Sequence, residues 1–220
     1  MRYFDAHLHL EAAVNAWGIV CTSRREEWTK LSAITAPSIP SVGLLPDGTD
    51  QEDAIGEMGR ILKDHPSWQI GEVGLDARFP HMETQVATFR QILQMATTLR
   101  RLVSIHAVRA DGLLLSLLDG SVPSIWHGFT GSVETARCAA KCRCVVSLGP
   151  RTVQSNLWNH LEQLDVPFLL ETDSQDEKET ETLAAMYRAC QARLGLTETQ
   201  LEERINAGRA ICTDHPSDRT

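Results

Sequence analysis

The sequence predicts an α/β protein built as a single (β/α)8 barrel, small for its class and with room for a distorted early repeat. Three observations point there. Eight short apolar segments run along the chain, most of them separated by stretches with helical periodicity. Ionisable side chains recur at the carboxyl ends of different strands, which in such a barrel meet at one mouth. The 220 residues, 42% hydrophobic and 23% charged, suit one core, so the chain reads as one domain, residues 1–220. A doubly wound sheet is the structural alternative.

The first ten residues set the pattern. Asp5, His7 and His9 alternate with Phe4, Leu8 and Leu10. A period of two puts the three polar side chains on one face of a strand over Tyr3–His9. The link from Leu10 to Asn15 is too short for a full helix and is expected to cross as a loop or single turn. Further strands are expected at Ala16–Cys21, Ile39–Leu45, Trp68–Leu75, Leu102–His106, Ser124–Phe129, Cys144–Leu148 and Val166–Asp173. Helices are expected at Arg25–Ile34, Glu52–Asp64, Met82–Leu99, Gly112–Leu118, Val133–Lys141, Asn156–Leu164, Glu177–Arg193 and Thr197–Ala207. The clearest is Met82–Leu99, where Val86, Phe89, Ile92, Leu93, Ala96 and Leu99 form one stripe. Ser132 is placed to cap the helix that follows it. Pro37, Pro40 and Pro46 bracket the third strand, and 214–220 reads as a frayed tail.

Composition excludes several classes. No continuous apolar run approaches membrane-spanning length, and the opening residues lack the basic, apolar and small-residue parts of a secretory leader. A cytoplasmic location without membrane attachment is the default expectation. Six cysteines are too sparse for a disulfide scaffold. Cys138, Cys142 and Cys144 cluster in a C-x3-C-x-C spacing that is not a usual zinc arrangement. A formal charge of −8 argues against a broad basic surface for nucleic acid. Bound metal ions would reverse that sign locally.

The polar residues at strand ends carry the chemistry. Glu72 interrupts the fourth strand between Gly71 and Gly74, which leave room for close backbone approach. His106 closes the fifth strand, His127 lies near the end of the sixth and Asp173 ends the eighth. Each alone has a plain explanation as a helix cap or a hydrogen-bonded core residue. Together, two carboxylates and four imidazoles at one mouth would cost on the order of several kcal/mol per unpaired charge unless cations compensate. Six ligands exceed what one tetrahedral ion takes and divide between two divalent ions. His7, His9 and Asp173 would hold the first, His106 and His127 the second, with Glu72 bridging the pair. Such ions, roughly 3.5–4 Å apart, steady both oxygens of a displacement. Asp5 and Glu171 share parity with neighbouring ligands and are expected behind them, orienting imidazole or water.

At these residues the sequence resembles the TatD-like metal-dependent deoxyribonuclease family of the amidohydrolase-type TIM barrels. The resemblance rests on Asp5-Ala-His-Leu-His9, Gly71-Glu-Val-Gly-Leu-Asp76, Ile105-His106, His127-Gly-Phe-Thr-Gly-Ser132 and Leu169-Leu-Glu-Thr-Asp173. Gln85, Phe89 and Leu93 are similar to the family's long helix, and Leu201–Cys212 with Asn206 and Ala207 to its last. It implies a divalent-metal hydrolase of phosphodiester bonds, often of DNA, with His7, His9, Glu72, His106, His127 and Asp173 as the metal set. It further implies that Asp173 acts as general base or proton shuttle and Glu72 as bridging ligand. The sequence departs from the family at Leu45, where a His is usual, and at Val108, where an Arg is usual, with Arg109 one place later. Asp173 is followed by Ser-Gln-Asp-Glu-Lys instead of the family's Ala-Pro and its Arg-Asn-x-Pro loop.

The expected function is hydrolysis of phosphodiester bonds by metal-activated water, in the manner of a DNA exonuclease. The alternative is a small amide, lactone or phosphoester substrate at the same mouth. A non-catalytic metal or nucleic-acid binding protein is the third class. The histidine-rich set suits zinc, manganese or iron, with magnesium preferring oxygen. Arg109 is a candidate phosphate contact, and Trp126 or Phe129 a candidate stacking partner for a base.

Overall fold

The computed structural model describes residues 3–13, 17–47, 51–175 and 180–213. The expected frayed tail at 214–220 lies outside them, as do Asn15 at the end of the expected first link, Ala16 at the start of the second expected strand and 177–179 at the start of the expected helix Glu177–Arg193. Eight strands form one parallel sheet in chain order: β1 (Asp5–His9), β2 (Gly18–Cys21), β3 (Ile39–Leu44), β4 (Gln69–Asp76), β5 (Val103–Val108), β6 (Ser124–Trp126), β7 (Cys144–Leu148) and β8 (Phe168–Leu170). A doubly wound sheet would not keep its strands in sequence order, so the barrel reading holds and the alternative falls. Around the sheet lie α1 (Gln51–Asp64), α2 (Met82–Leu99), α3 (Asp111–Leu117), α4 (Val133–Lys141), α5 (Pro150–Val153), α6 (Asn156–Asn159), α7 (Thr180–Leu194) and α8 (Glu198–Thr213).

The ring closes between β1 and the extended chain just past β8. The Asp173 amide donates to the His7 carbonyl at 3.0 Å, and the His9 amide to the Ser174 carbonyl at 2.9 Å. Beneath them the Asp5 carboxylate accepts from the Thr172 amide at 3.1 Å and the Thr172 hydroxyl at 2.7 Å. Closure therefore happens at the carboxyl end of the barrel, where β1 presents His7 and His9.

The helices follow their apolar stripes. Phe89, Ile92 and Ala96 of α2 are buried, and burying a Phe stabilises by about 2–3 kcal/mol. The Ser132 hydroxyl accepts from the Thr135 amide at 3.1 Å, so the expected cap is present. Residues Arg25–Ala33 form a 3₁₀ helix where an α-helix was expected. Only Trp28 and Leu31 are buried there, three apart, and three residues per turn aligns them. The expected helix Asn156–Leu164 is broken into α6 and a 3₁₀ turn at Leu161–Gln163, with His160 off helical geometry between them. β6 and β8 end sooner than expected, so His127 and Asp173 stand in the exits and not within the strands. Among the described residues, no helix is long and apolar enough to cross a membrane.

Two glycines let β4 sit where it does. A Cβ at Gly74, whose φ is +151°, would come 1.9 Å from the His106 carbonyl oxygen. One at Gly43 would meet the Glu72 nitrogen at 2.1 Å and the Thr22 carbonyl oxygen at 1.8 Å. Both are closer than atoms can pack, so β3, β4 and β5 approach through bare backbone. Gly74→Ala is expected to destabilise the fold by about 3 kcal/mol, within the range for strain at a special backbone position. A denaturant midpoint equal to that of the parent protein would show that the close approach is unimportant.

Candidate metal centre

His7 and His9 leave β1 on one face, as a two-residue period requires. The His7 Nε2 atom lies 3.9 Å from both Glu72 Oε2 and Asp173 Oδ1. The His9 Nε2 atom lies 3.8 Å from Glu72 Oε2 and 3.4 Å from Asp173 Oδ1. The other Glu72 oxygen faces away from this group: Oε1 is 2.6 Å from His106 Nδ1 and 2.7 Å from His127 Nε2. His7 and His127 stack with ring centroids 3.9 Å apart, so the two groups share a wall. All six residues anticipated from strand ends are thus brought together, and all but Asp173 are buried. Asp173 holds a left-handed φ of +53°, an uncommon conformation for a non-glycine residue and one that collects at functional sites.

The ligand atoms of His7, His9 and Glu72 lie within 4.8 Å of one another, as do those of His7, His127 and Asp173, and of Glu72, His106 and His127. These clusters suit a divalent ion. His7 Nε2 is buried without a hydrogen-bond partner, which fits a nitrogen reserved for a cation. Zinc bonds of about 2.0–2.1 Å place tetrahedral ligands roughly 3.3 Å apart, a spacing that His9 and Asp173 meet at 3.4 Å.

Charge is distributed unevenly across the cluster. Burial opposes the charge on Glu72, yet His127 and the hydrogen bonds from His106 and His127 hold its carboxyl well below the usual range. Burial likewise opposes ionisation of Asp173, but the His9 hydrogen bond and the His7 and His127 rings bring it down to about 2. His7 is pushed well below the ordinary histidine value, first by burial and then by His127. His127 is raised well above it despite burial, by Glu72 first.

A family model described as TatD related DNase matches residues 4–207. The chain belongs to the TatD family. An uncharacterized metal-dependent hydrolase of Methanocaldococcus jannaschii is 28% identical over 107 residues, 48% of this chain and 43% of that protein. The aligned part is therefore less than half of that relative. The crystal structure of a TatD homologue from Escherichia coli superposes with a TM-score of 0.80 at 19% identity, covering 96% of this chain and 97% of that one. A TatD family hydrolase from Entamoeba histolytica gives 0.74 at 16% identity, covering 96% of each.

The surroundings of the cluster differ from the sequence expectation in several places. Asp5 touches no imidazole. It binds Thr172 and the His7 amide, with burial raising its carboxyl to about 7, so it fastens the β1–β8 seam. Glu171 does stand behind His127, with Oε1 3.8 Å from Nδ1, while that oxygen accepts from the Gly128 amide at 2.6 Å. Trp126 and Phe129 are 2% and 1% exposed and pack edge-to-face on each other, so neither can stack on a substrate. Arg109 is exposed, with a φ of +53° and no ion pair or hydrogen bond to a described side chain.

Other residues hold the rings. The Ser104 hydroxyl sits 2.9 Å from His7 Nδ1, reaching from β5 to β1 through the barrel interior. Asp76 Oδ2 lies 3.1 Å from His106 Nε2, leaving Nδ1 turned to Glu72. Arg78 grips Asp76 with Nε at 2.9 Å from Oδ1 and Nη2 at 2.5 Å from Oδ2. Burial works against the charge on Asp76, but the Arg78 fork brings it to about 2. Arg151, in α5, places Nη2 3.0 Å from Asp173 Oδ2. Parity was the available signal: Ser104 is two residues before His106, and Asp76 four after Glu72. Arg151 carried none. Asp76→Asn is expected to weaken divalent-ion affinity about 10- to 100-fold, the usual cost of losing a group that orients a ligand. Competition with a chromophoric chelator reads this out, and unchanged affinity would mean that His106 is held some other way.

Proposed function

We propose that this protein is a metal-dependent hydrolase that cleaves phosphodiester bonds at a centre of two divalent ions. The observation that carries the reading is the placement of Glu72, one oxygen facing His7 and His9 and the other facing His106 and His127. In this reading His7, His9, Asp173 and Glu72 would hold one ion, and His106, His127 and Glu72 the other. The nitrogen-rich donor set favours zinc, manganese or iron over magnesium.

A divalent pair, when bound, supplies an acidified water and positive charge at the leaving oxygen. The protein's own part is positioning and proton handling. Ser104 and Asp76 fix the rings of His7 and His106. The buried, anionic Glu72 lies between the two groups of histidines. Asp173 is the acceptor for the proton of the attacking water: its side chain is 15% exposed, against 5% for Glu72, so it alone of the two carboxylates can pass the proton to solvent. Arg151 holds the second Asp173 oxygen and keeps the group oriented. DNA is the substrate class the family name suggests.

A second reading, a small ester, lactone or amide, is favoured by the acidic charge of −8 and by two mouth arginines, Arg78 and Arg151, that are already engaged by carboxylates. Turnover of single-stranded DNA, RNA, a generic phosphodiester and a small ester, each across several metals, separates the readings. Activity on the ester alone would overturn phosphodiester cleavage.

Asp173→Asn is expected to keep the fold and lower turnover by about 10²- to 10⁴-fold, the span of general acid–base catalysis. Full turnover with metal retained would remove the assigned role. Protein purified without chelator is expected to carry two ions per chain by elemental analysis, and chelation to abolish turnover with recovery on metal addition. A saturated ratio of one per chain would contradict the paired centre.

A further inference from the structure

Next to the metal centre, the loops that leave β4 and β5 frame a trough of about 490 Å³ whose walls include Phe79, His81, Met82, Arg109, Asp111 and Leu113. These are the exits of the strands that carry Glu72, Asp76 and His106. The Ala77 amide donates to the Val108 carbonyl at 2.9 Å, so the loops set out side by side. Phe79 and Leu113 are 36% and 37% exposed, two of the few large apolar side chains so open to water among the described residues. Both line the same trough. Isolated exposed apolar residues need no explanation, but two lining one trough beside a candidate active site do.

The polar lining narrows the occupant. Arg78 approaches the Phe79 ring to 6.0 Å, but its charge is committed to Asp76. Arg109 is an exposed cation held in a left-handed conformation and engaged by no described side chain. Asp111, on the same wall, offers an acceptor. An open flat ring, an uncommitted guanidinium and a carboxylate acceptor together match a group that is planar, carries an amino edge and is joined to a phosphate.

We propose that the trough between the β4 and β5 loops binds a nucleobase of the substrate, with Phe79 and Leu113 against its face and Arg109 on a neighbouring phosphate oxygen. This rests on the phosphodiesterase reading for the nature of the substrate, and it names the part of the molecule that the chain itself grips. Phe79 and Arg109 are specificity-determining residues here and take no part in bond cleavage.

Calorimetric titration of the metal-loaded protein tests it without reference to turnover. Deoxycytidine monophosphate is expected to bind about tenfold more tightly than deoxyribose phosphate, the size of one base–aromatic contact. Phe79→Ala is expected to erase that ratio, and Phe79→Leu to reduce it, while Arg109→Gln weakens both ligands alike. Phenyl phosphate binding as tightly as the nucleotide would overturn the nucleobase assignment, since it lacks the amino edge that Asp111 would accept from. Equal affinity for the two sugar phosphates in the parent protein, or an unchanged ratio in Phe79→Ala, would overturn the inference. A protein that shows the ratio yet hydrolyses no phosphodiester upholds the trough and removes the phosphodiesterase reading. One that hydrolyses phosphodiesters without the ratio removes only the trough.

Discussion

Glu72 is the point on which the mouth of this barrel depends. A carboxylate 4% exposed is tolerated only when its charge is met locally, and here each oxygen has its own pair of imidazoles. The strand that delivers Glu72 can come close enough only because Gly43 and Gly74 leave its neighbours nothing to collide with. The chemistry of the centre and the packing of the sheet are therefore one problem. The strand must approach closely for the charge to be compensated.

The seam between β1 and the chain past β8 joins stability to the site in the same way. The hydrogen bonds that close the ring run through His7, His9, Asp173 and Ser174, so three of the metal-competent residues are also backbone partners in closure. Asp5 and Thr172 tie the layer below. Placing a proposed proton acceptor at the seam lets its carboxylate reach both the histidines of β1 and the solvent.

Beyond the buried cluster the mouth is built from ion pairs. Arg78 steadies Asp76, which steadies His106, and Arg151 steadies Asp173. Each pair places an exposed arginine on a carboxylate that touches the cluster, and so reduces the positive charge free for a substrate. Arg109 is different because it is committed to no described side chain. In a protein of net charge −8, anion recognition would concentrate at such a position and at any divalent ion held by the histidine cluster.

Much of this was legible in the order of residues. Strict alternation in Asp5, His7 and His9 is a property of a strand alone, and the helical stripe of Met82–Leu99 a property of a helix alone. Both follow from local geometry and are observed. Recurrence of ionisable residues at strand ends foretold that His7, His9, Glu72, His106, His127 and Asp173 meet, because a parallel barrel sends all strand ends to one side. The 3₁₀ turn at Arg25–Ala33 and the broken helix near His160 were not legible, since short weakly apolar segments take the shape their neighbours leave them. Contacts between residues distant in the chain were decided by tertiary structure alone: Asp5 on Thr172, Ser104 on His7, Arg151 on Asp173. So was the burial of Trp126 and Phe129 and the exposure of Phe79, because an aromatic residue reads alike in sequence whether it packs inward or faces water. Periodicity records which face a side chain takes; only closure of the barrel determines what that face meets.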